Sequence, residues 1–326
     1  MTLMDALLCE AISEDLSGVR FGQAAKPDPG PGEALIRVRA ASVNFPDVLM
    51  CQGKYQFKPE PPFIPGIDFA GEVAALGEGV EGLVLGQKVM GGARLGGFAG
   101  FVAAPAGTLD PIPEGWSFAE AAAYPAAALT AYVALVRRGG LAAGETLLVH
   151  GAAGGVGLAA VKLGLVLGAR VIACASTPEK RAVLEGLGVG AALPSTGFRE
   201  AVLAFTEGAG ADVVFDPVGG DVFDESLRVM AFDGRLLVIG FTSGRIATVP
   251  SNIPLIKGFS VVGVRAGEYG RRFPERGREN RAAILALSKD DRMRPHLHAV
   301  LPLAQGVDAL RLLQQRAVIG KVALEP

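Results

Sequence analysis

An apolar run, Thr146-Leu147-Leu148-Val149, passes through His150 into a turn with glycines at 151, 154, 155 and 157, and that turn opens a helix-length segment, 156–167. Few folds accommodate that order. A continuous apolar run suits a strand buried on both faces, and a strand leading through a tight glycine turn into a helix is the first half of a βαβ unit. The alternation then repeats, with apolar runs at 170–174, 191–193, 212–215, 235–239 and 259–264 separated by segments long enough for crossover helices. The pattern predicts an α/β domain of doubly wound type with six parallel strands, the run at 191–193 being the weakest of the six.

The earlier part of the chain reads differently. Short apolar runs at 34–38, 69–73, 87–90 and 98–102 are broken by Gly and Pro, as expected of a β-rich, barrel-like module. After Trp116 the segment 118–138 is rich in Ala and nearly free of strand formers, with Pro125 its one break, so helices are expected there. Beyond Arg265 the chain becomes basic and irregular through Arg271, Arg272, Arg276 and Arg278, then returns to helix, strand and helix.

Charge and cysteine usage narrow the partners. Lys+Arg number 31 against Asp+Glu 33, and a net charge of -2 gives no general attraction to nucleic acid or anionic lipid. Cys9, Cys51 and Cys174 are odd in number and widely spaced, which indicates neither a disulfide framework nor a structural zinc knot and fits a reducing cytoplasm. The first ten residues lack the basic start and apolar core of a signal peptide. No uninterrupted apolar run reaches the length of a membrane span.

The glycine turn carries the clearest chemistry. Gly154-Gly155-x-Gly157 lets the backbone approach a pyrophosphate, whose charge the amides and the helix N-terminus favour. Gly151, Ala153, Gly154, Gly155, Val156 and Gly157 are therefore the candidate dinucleotide contacts. A tight turn could need the same glycines for packing alone; the strand-turn-helix-strand context favours the dinucleotide. An NAD site would carry a carboxylate at the end of the second strand, where this chain has Ala175-Ser176-Thr177-Pro178-Glu179-Lys180-Arg181. Small Ser176 and Thr177 leave room there, and Lys180 and Arg181 offer charge to a 2′-phosphate, so NADPH is the expected cofactor. A basic pair in a helix first turn opposes the macrodipole, which favours a ligand reason over a solvated one.

Several further segments occur in an order more specific than any one of them: Val43-Asn44-Phe45-Pro46-Asp47, Gly53-Lys54-Tyr55, Pro65-Gly66-Ile67-Asp68, Leu129-Thr130-Ala131-Tyr132, Asp216-Pro217-Val218-Gly219-Gly220, Ile239-Gly240-Phe241 and Gly320-Lys321-Val322. With the glycine turn they resemble the zinc-independent quinone oxidoreductase branch of the medium-chain dehydrogenase/reductase superfamily, over nearly the whole chain. The resemblance implies a GroES-like catalytic domain at 1–122, completed by 266–326, and an inserted Rossmann domain at 123–265, with the active site in the cleft between them. It also implies a homodimer paired through the last Rossmann strands, 236–264, where the run 259–264 is the kind of edge strand that needs covering.

Zinc-dependent members hold their metal with a Cys, a His in a Gly-His-Glu motif, and a third Cys or Asp. This chain has Asn44 at the first position and Gly66-Ile67-Asp68 at the second, and 124–130 supplies no Cys, His or Asp, so no metal site is expected. His296 and His298 share a strand face by spacing but lack a third ligand, and His150 is expected to be packed by the turn. Hydride delivery to a conjugated acceptor suits such a site, because hydrogen-bond donors can stabilise the developing enolate or phenolate and solvent can supply the proton.

By resemblance, Asn44 contacts the nicotinamide ribose or the substrate oxygen, with a turn-forming Asn bonded to its own backbone as its alternative role, and Thr130 lies beside the nicotinamide. Asp47 is expected to be an ionised orienting acceptor, since an ordinary carboxyl titrates near about 4. Tyr55 is a candidate donor to the substrate oxygen, with packing as its alternative role. Phe241, Thr242 and Ser243 follow the fifth strand, Val264 and Arg265 the last, and Asn252 falls in the connection between them. Pro194-Ser195 stands where many relatives carry an Asn-Tyr pair against the adenosine. The expected activity is NADPH-dependent reduction of a small-molecule quinone or α,β-unsaturated carbonyl. Two alternatives stand beside it: an enoyl-thioester reductase of the acryloyl-CoA type, whose CoA phosphates the arginines from 265 to 278 could meet, and a non-catalytic NADPH-binding protein.

Overall fold

The strand Glu33–Val43 organises the first of two units, because it is hydrogen-bonded along both edges. The computed structural model describes residues 2–326, which divide into one unit of residues 2–126 with Arg294–Pro326 and a second of Ala127–Met293. In the first, Glu33–Val43 pairs antiparallel with Asp68–Leu76, with Phe101–Pro105, and at its end with Lys321–Glu325. The seven-stranded sheet runs Leu297–Pro302, Lys321–Glu325, Glu33–Val43, Asp68–Leu76, Lys88–Gly92, Leu109–Pro111, with Phe101–Pro105 beside Glu33–Val43. One consequence of register matters later: Ser42 is opposite Asp68 on one side and Ala323 on the other.

A separate antiparallel pair, Leu3–Cys9 with Val19–Ala25, closes over this sheet. Leu7, Ile36, Val43, Phe69, Phe98 and Leu324 meet in the core beneath. The segment starting at Phe98, expected as a strand, is not one until Phe101. Phe98 and Ala99 are buried because they bond to the N-terminal pair: the Leu7 amide donates to the Phe98 carbonyl at 2.9 Å, and Ala99 bridges Ala6.

The second unit holds the expected six-stranded parallel sheet, in the order Ala191–Pro194, Arg170–Ala175, Thr146–Val149, Ala211–Asp216, Met230–Val238, Ser260–Gly263. In chain order that is 3-2-1-4-5-6, the Rossmann arrangement, whose switch point lies between Thr146–Val149 and Ala211–Asp216. All four residues of Thr146–Val149 are buried, which explains their uninterrupted apolar run. The helix Gly155–Val166 returns against the turn so closely that a Cβ on Gly157 would stand 2.2 Å from the Gly151 carbonyl oxygen. Gly151 itself has φ +56, a conformation glycine adopts without strain.

The helical stretch Phe118–Arg138 is apolar and long enough to cross a membrane by length and composition, but most of its apolar window is buried within the protein, as in a core helix. It breaks at Pro125 as expected: Ser117 caps Phe118–Ala123, Pro125–Tyr132 follows, and Val133–Arg138 is wound as a π-helix. Two expectations change. The basic segment after Arg265 is helical, at Ala266–Arg272 and Pro274–Leu287. The domain boundaries, expected at 122/123 and 265/266, fall instead at 126/127 and 293/294. Residues 266–293 group with the second unit because Arg137 bonds Asn280 at 2.7 Å and Glu279 at 2.7 Å, tying Pro274–Leu287 to the π-helix.

Candidate active site

In the first unit, sheet register brings four polar side chains into an otherwise apolar core. Asn44 follows the end of Glu33–Val43, Asp68 begins the neighbouring strand, and Lys321 begins the strand on the other side. Asp47 lies in the helix Phe45–Cys51, for which Asn44 is the N-cap residue. All four are buried, Asp47 at 0% exposure and Asp68 at 2%.

Their hydrogen bonds form one connected set. Asn44 Nδ2 donates to Asp68 Oδ2 at 3.0 Å and to the Ser42 carbonyl at 3.2 Å. Lys321 Nζ donates to Asn44 Oδ1 at 2.6 Å and to the Val43 carbonyl at 3.3 Å. Asp47 accepts the Asn44 amide at 2.8 Å and the Gly66 amide at 3.3 Å, so it holds the start of its own helix and the loop carrying Ile67.

Burial sets the charges here. It pushes the Asp47 carboxyl up to about 7, with the Asp68 charge adding to the rise and the two amides and Lys321 opposing it. Asp68 is pushed up to about 6 by burial, against the pull of Lys321 and Asn44, and burial lowers Lys321 despite its two carboxylate neighbours. Asp47 is therefore poised near neutral pH, a correction to the ionised carboxyl expected from its ordinary titration. Asp68 and Lys321 stand in two of the segments that carry the resemblance, but the sequence assigns them no role in the site. The available signal was a lysine opening an apolar strand, Lys321-Val322-Ala323-Leu324, directly after a glycine.

Tyr55 lies beyond this helix, half-buried against the first unit's core. In the second unit, the glycine turn sits at the carboxyl end of Thr146–Val149. Gly154 is the N-cap of Gly155–Val166 and has no side chain, so the amides of Gly155, Val156 and Gly157 begin the helix without a capping oxygen. Ala152 and Ala153 are buried beneath. Gly151 lies against Pro217 and Val218, which follow the neighbouring strand across the switch point.

Ser176 is exposed at the end of Arg170–Ala175, and Thr177 caps the next helix by accepting the Lys180 amide at 3.3 Å. Lys180 is half-buried; Arg181 is turned back, donating to the Ala175 carbonyl at 3.2 Å. His150 is not at the surface of this turn. It is buried against Phe198 and shares a 2.8 Å hydrogen bond with Ser226 Oγ, and burial lowers it to about 3, so it stays neutral.

Known proteins decide the family. The chain is 36% identical over 98% of its length to the quinone oxidoreductase-like protein 2 homolog of Nematostella vectensis, of which it covers 88%. It belongs to the medium-chain dehydrogenase/reductase superfamily. The family described as alcohol dehydrogenase GroES-like domain matches residues 30–132, and the one described as zinc-binding dehydrogenase matches 155–279. A probable oxidoreductase from Mycobacterium abscessus superposes with TM-score 0.90 at 37% identity, covering 100% of this chain and 99% of that one. The quinone oxidoreductase of Thermus thermophilus, solved also as its NADPH complex, gives TM-score 0.83 at 32% identity over 99% of this chain and 100% of its own. The CurK enoyl reductase gives 0.88 at 27% over 100% and 99%.

The remaining candidate residues of this superfamily member have these places. Thr130 is half-buried in Pro125–Tyr132. Phe241 is 41% exposed, and the amides of Thr242 and Ser243 donate to the Pro217 and Val218 carbonyls at 3.1 and 2.9 Å, folding the loop after the fifth strand onto the switch point. The Val264 amide donates to the Val238 carbonyl at 2.9 Å, extending the last strand pair by one residue. Asn252 opens an exposed helix. Among the described residues, no three His, Cys, Asp or Glu are grouped to hold a metal.

Proposed function

We propose that this protein binds NADPH and reduces a quinone or an α,β-unsaturated carbonyl compound by hydride transfer, without a catalytic metal. The observation that carries this reading is the Asn44 amide, which stands where zinc-dependent members have a Cys and is hydrogen-bonded inward to Lys321 and Asp68, with apolar Ile67 where they have a His. Such a set offers no Lewis acid for an alkoxide. A conjugated acceptor is already electrophilic and needs only hydride and a proton.

The second unit fits the cofactor. Uncapped amides at Gly155, Val156 and Gly157, together with a turn in which a Cβ at 157 would clash, suit a pyrophosphate at close approach. In this reading Ser176 and Lys180 receive the 2′-phosphate, and Thr130, Phe241, Thr242 and Val264 line the nicotinamide half. NADPH, when bound, supplies the hydride. Asp47 and Asn44 hold the floor of the catalytic unit, and Tyr55 is the hydroxyl available to a substrate oxygen.

Pairing of two chains through the last strand is part of the same reading. Ser260–Gly263 is the terminal strand of its sheet, and Phe232, Leu255 and Ile256 near it are 83, 82 and 75% exposed. The three buried, unpaired cysteines accord with a cytoplasmic setting.

Likeness to an enoyl reductase favours enoyl thioesters as a second acceptor class. The arginines suggested for CoA are mostly engaged: Arg271 and Arg272 pair with Glu268, Arg276 donates to Tyr269 and Arg278 stands 4.0 Å from Glu275. Reduction of a cyclic enone with NADPH carrying deuterium at nicotinamide C4 tests the reading. Deuterium at the β-carbon of the product is expected; preference for acryloyl-CoA over simple enones would favour the thioester class instead.

A further inference from the structure

The Asn44 side chain has two N–H hydrogens and two oxygen lone pairs to satisfy. Three of these four are used within the first unit. Both hydrogens are donated, to Ser42 at 3.2 Å and Asp68 at 3.0 Å, and Oδ1 accepts Lys321 at 2.6 Å. Turning the amide over would set its NH2 against the Lys321 amine and its oxygen against the Asp68 carboxylate and the Ser42 carbonyl. Three hydrogen bonds would become three repulsive contacts, at a site where Asn44, Asp68 and Lys321 are 7, 2 and 6% exposed. Neither hydrogen remains for a ligand, which leaves Oδ1, turned also toward the first turn of the helix that Asn44 caps, as the one atom of the amide able to meet it.

We propose that Lys321, with Asp68, is a positioning residue that locks the Asn44 amide, so that Asn44 meets its ligand only as a hydrogen-bond acceptor. This rests on the NADPH oxidoreductase reading. A locked acceptor can receive a hydroxyl of the ribose class, but it cannot stabilise the oxyanion that develops on a quinone or enone, which requires a donor. Of the two partners that resemblance suggests for Asn44, the amide suits the ribose and leaves the substrate oxygen to another group.

The lock is held from both directions. A Cβ at Gly320 would stand 2.2 Å from the His296 carbonyl oxygen, and the Lys321 amide donates to that same carbonyl at 2.9 Å, which fixes the backbone entering Lys321. Asp68 and Asp47 are the carboxylates whose charge acts on its amine, and Asp47 acts in turn on the buried Cys51 thiol.

The test compares Lys321→Met, which removes the donor, with Lys321→Gln, which removes the charge but keeps an N–H. NADPH affinity is read by cofactor fluorescence without acceptor, and folding by thermal unfolding. Lys321→Met is expected to raise the Kd about tenfold, Lys321→Gln to recover most of that, and Lys321→Met placed on Asn44→Ala to add less than about twofold, since both act through one amide. Equal losses in the Met and Gln variants, or multiplying losses in the double variant, would overturn the proposal. If Lys321→Met does not fold, Asp68→Asn against Asp68→Leu makes the same comparison, with only Leu expected to weaken binding and equal effects counting against the lock. Wild-type protein that binds no NADPH defeats the functional reading itself; binding with the wrong variant pattern defeats only the lock.

Discussion

Lys321 Nζ lies 2.6 Å from Asn44 Oδ1, joining the last strand of the chain to a residue 277 positions earlier. Around that bond a lysine, two aspartates and an asparagine are buried together, with Asn44 the most exposed of them at 7%. Isolated charges there would be costly, and the hydrogen bonds among them are what make their burial tolerable.

The pH dependence of stability should report this cluster. Asp47 and Asp68 titrate higher in the folded protein than in the unfolded chain because of burial, at about 7 and about 6. The folded state therefore holds their protons more tightly. That contribution is full below about pH 4, where both states are protonated, and is lost as pH rises toward about 7. Urea unfolding at intervals across this range should show wild type losing about 1 kcal/mol or more beyond an Asp68→Asn variant; an equal or steeper decline in the variant would contradict the assignment. Glu120 works in the opposite sense: Arg294 holds it down to about 2, and its contribution disappears as pH falls below about 4.5.

Gly157→Ala should be disruptive twice over. Its Cβ would meet the Gly151 carbonyl oxygen at 2.2 Å, so the helix must move away from the turn. A loss of about 2 kcal/mol in chemical unfolding, with NADPH affinity weakened about tenfold or more, is expected. Unchanged affinity would mean that the turn does not carry the pyrophosphate.

Lys180→Ala should separate the two nicotinamide cofactors. Lys180 stands in the first turn of the helix that follows the second strand, beside exposed Ser176, where a 2′-phosphate would lie. The KM for NADPH should rise about tenfold while that for NADH hardly changes, as for loss of one charge-assisted contact. Equal changes for both would remove the 2′-phosphate assignment.

Chelation should leave turnover intact. With Asn44 and Ile67 in place of metal ligands, prolonged dialysis against EDTA is expected to preserve the rate. A loss restored by added zinc would show that the protein holds a metal elsewhere.

Leu255→Glu should interfere with self-association. Leu255 is 82% exposed in a sequence of apolar neighbours, and a carboxylate there would put two charges, one from each chain, into the apolar surface of the proposed pairing. Sedimentation should show wild type as two chains and the variant as one; a variant that remains paired would place the interface elsewhere.

How much of this was legible in the sequence follows from the range of the interactions. The four inner parallel strands were readable because burial writes them as local apolar runs, and the edge strands Ala191–Pro194 and Ser260–Gly263, though half-buried or exposed, keep enough apolar character to be read with them. The glycine turn was readable for the same reason, since its geometry is set within a few residues. Phe98 and Ala99 misled because burial alone does not distinguish a strand from a segment packed beneath one. The meeting of Asp68 and Lys321 at Asn44 was not legible because the register that sets Ser42 opposite both Asp68 and Ala323 joins distant parts of the chain. The ionisation of Asp47 was misjudged because a side chain's solvent access is a property of the finished fold.

The most direct test of the central claim is the initial rate of NADPH oxidation by the purified protein, with benzoquinone and a cyclic enone offered in turn. Saturable turnover with at least one of them, faster with NADPH than with NADH, is the expected result. Tight NADPH binding without turnover on either would contradict it and leave a protein that holds its nicotinamide without passing on the hydride.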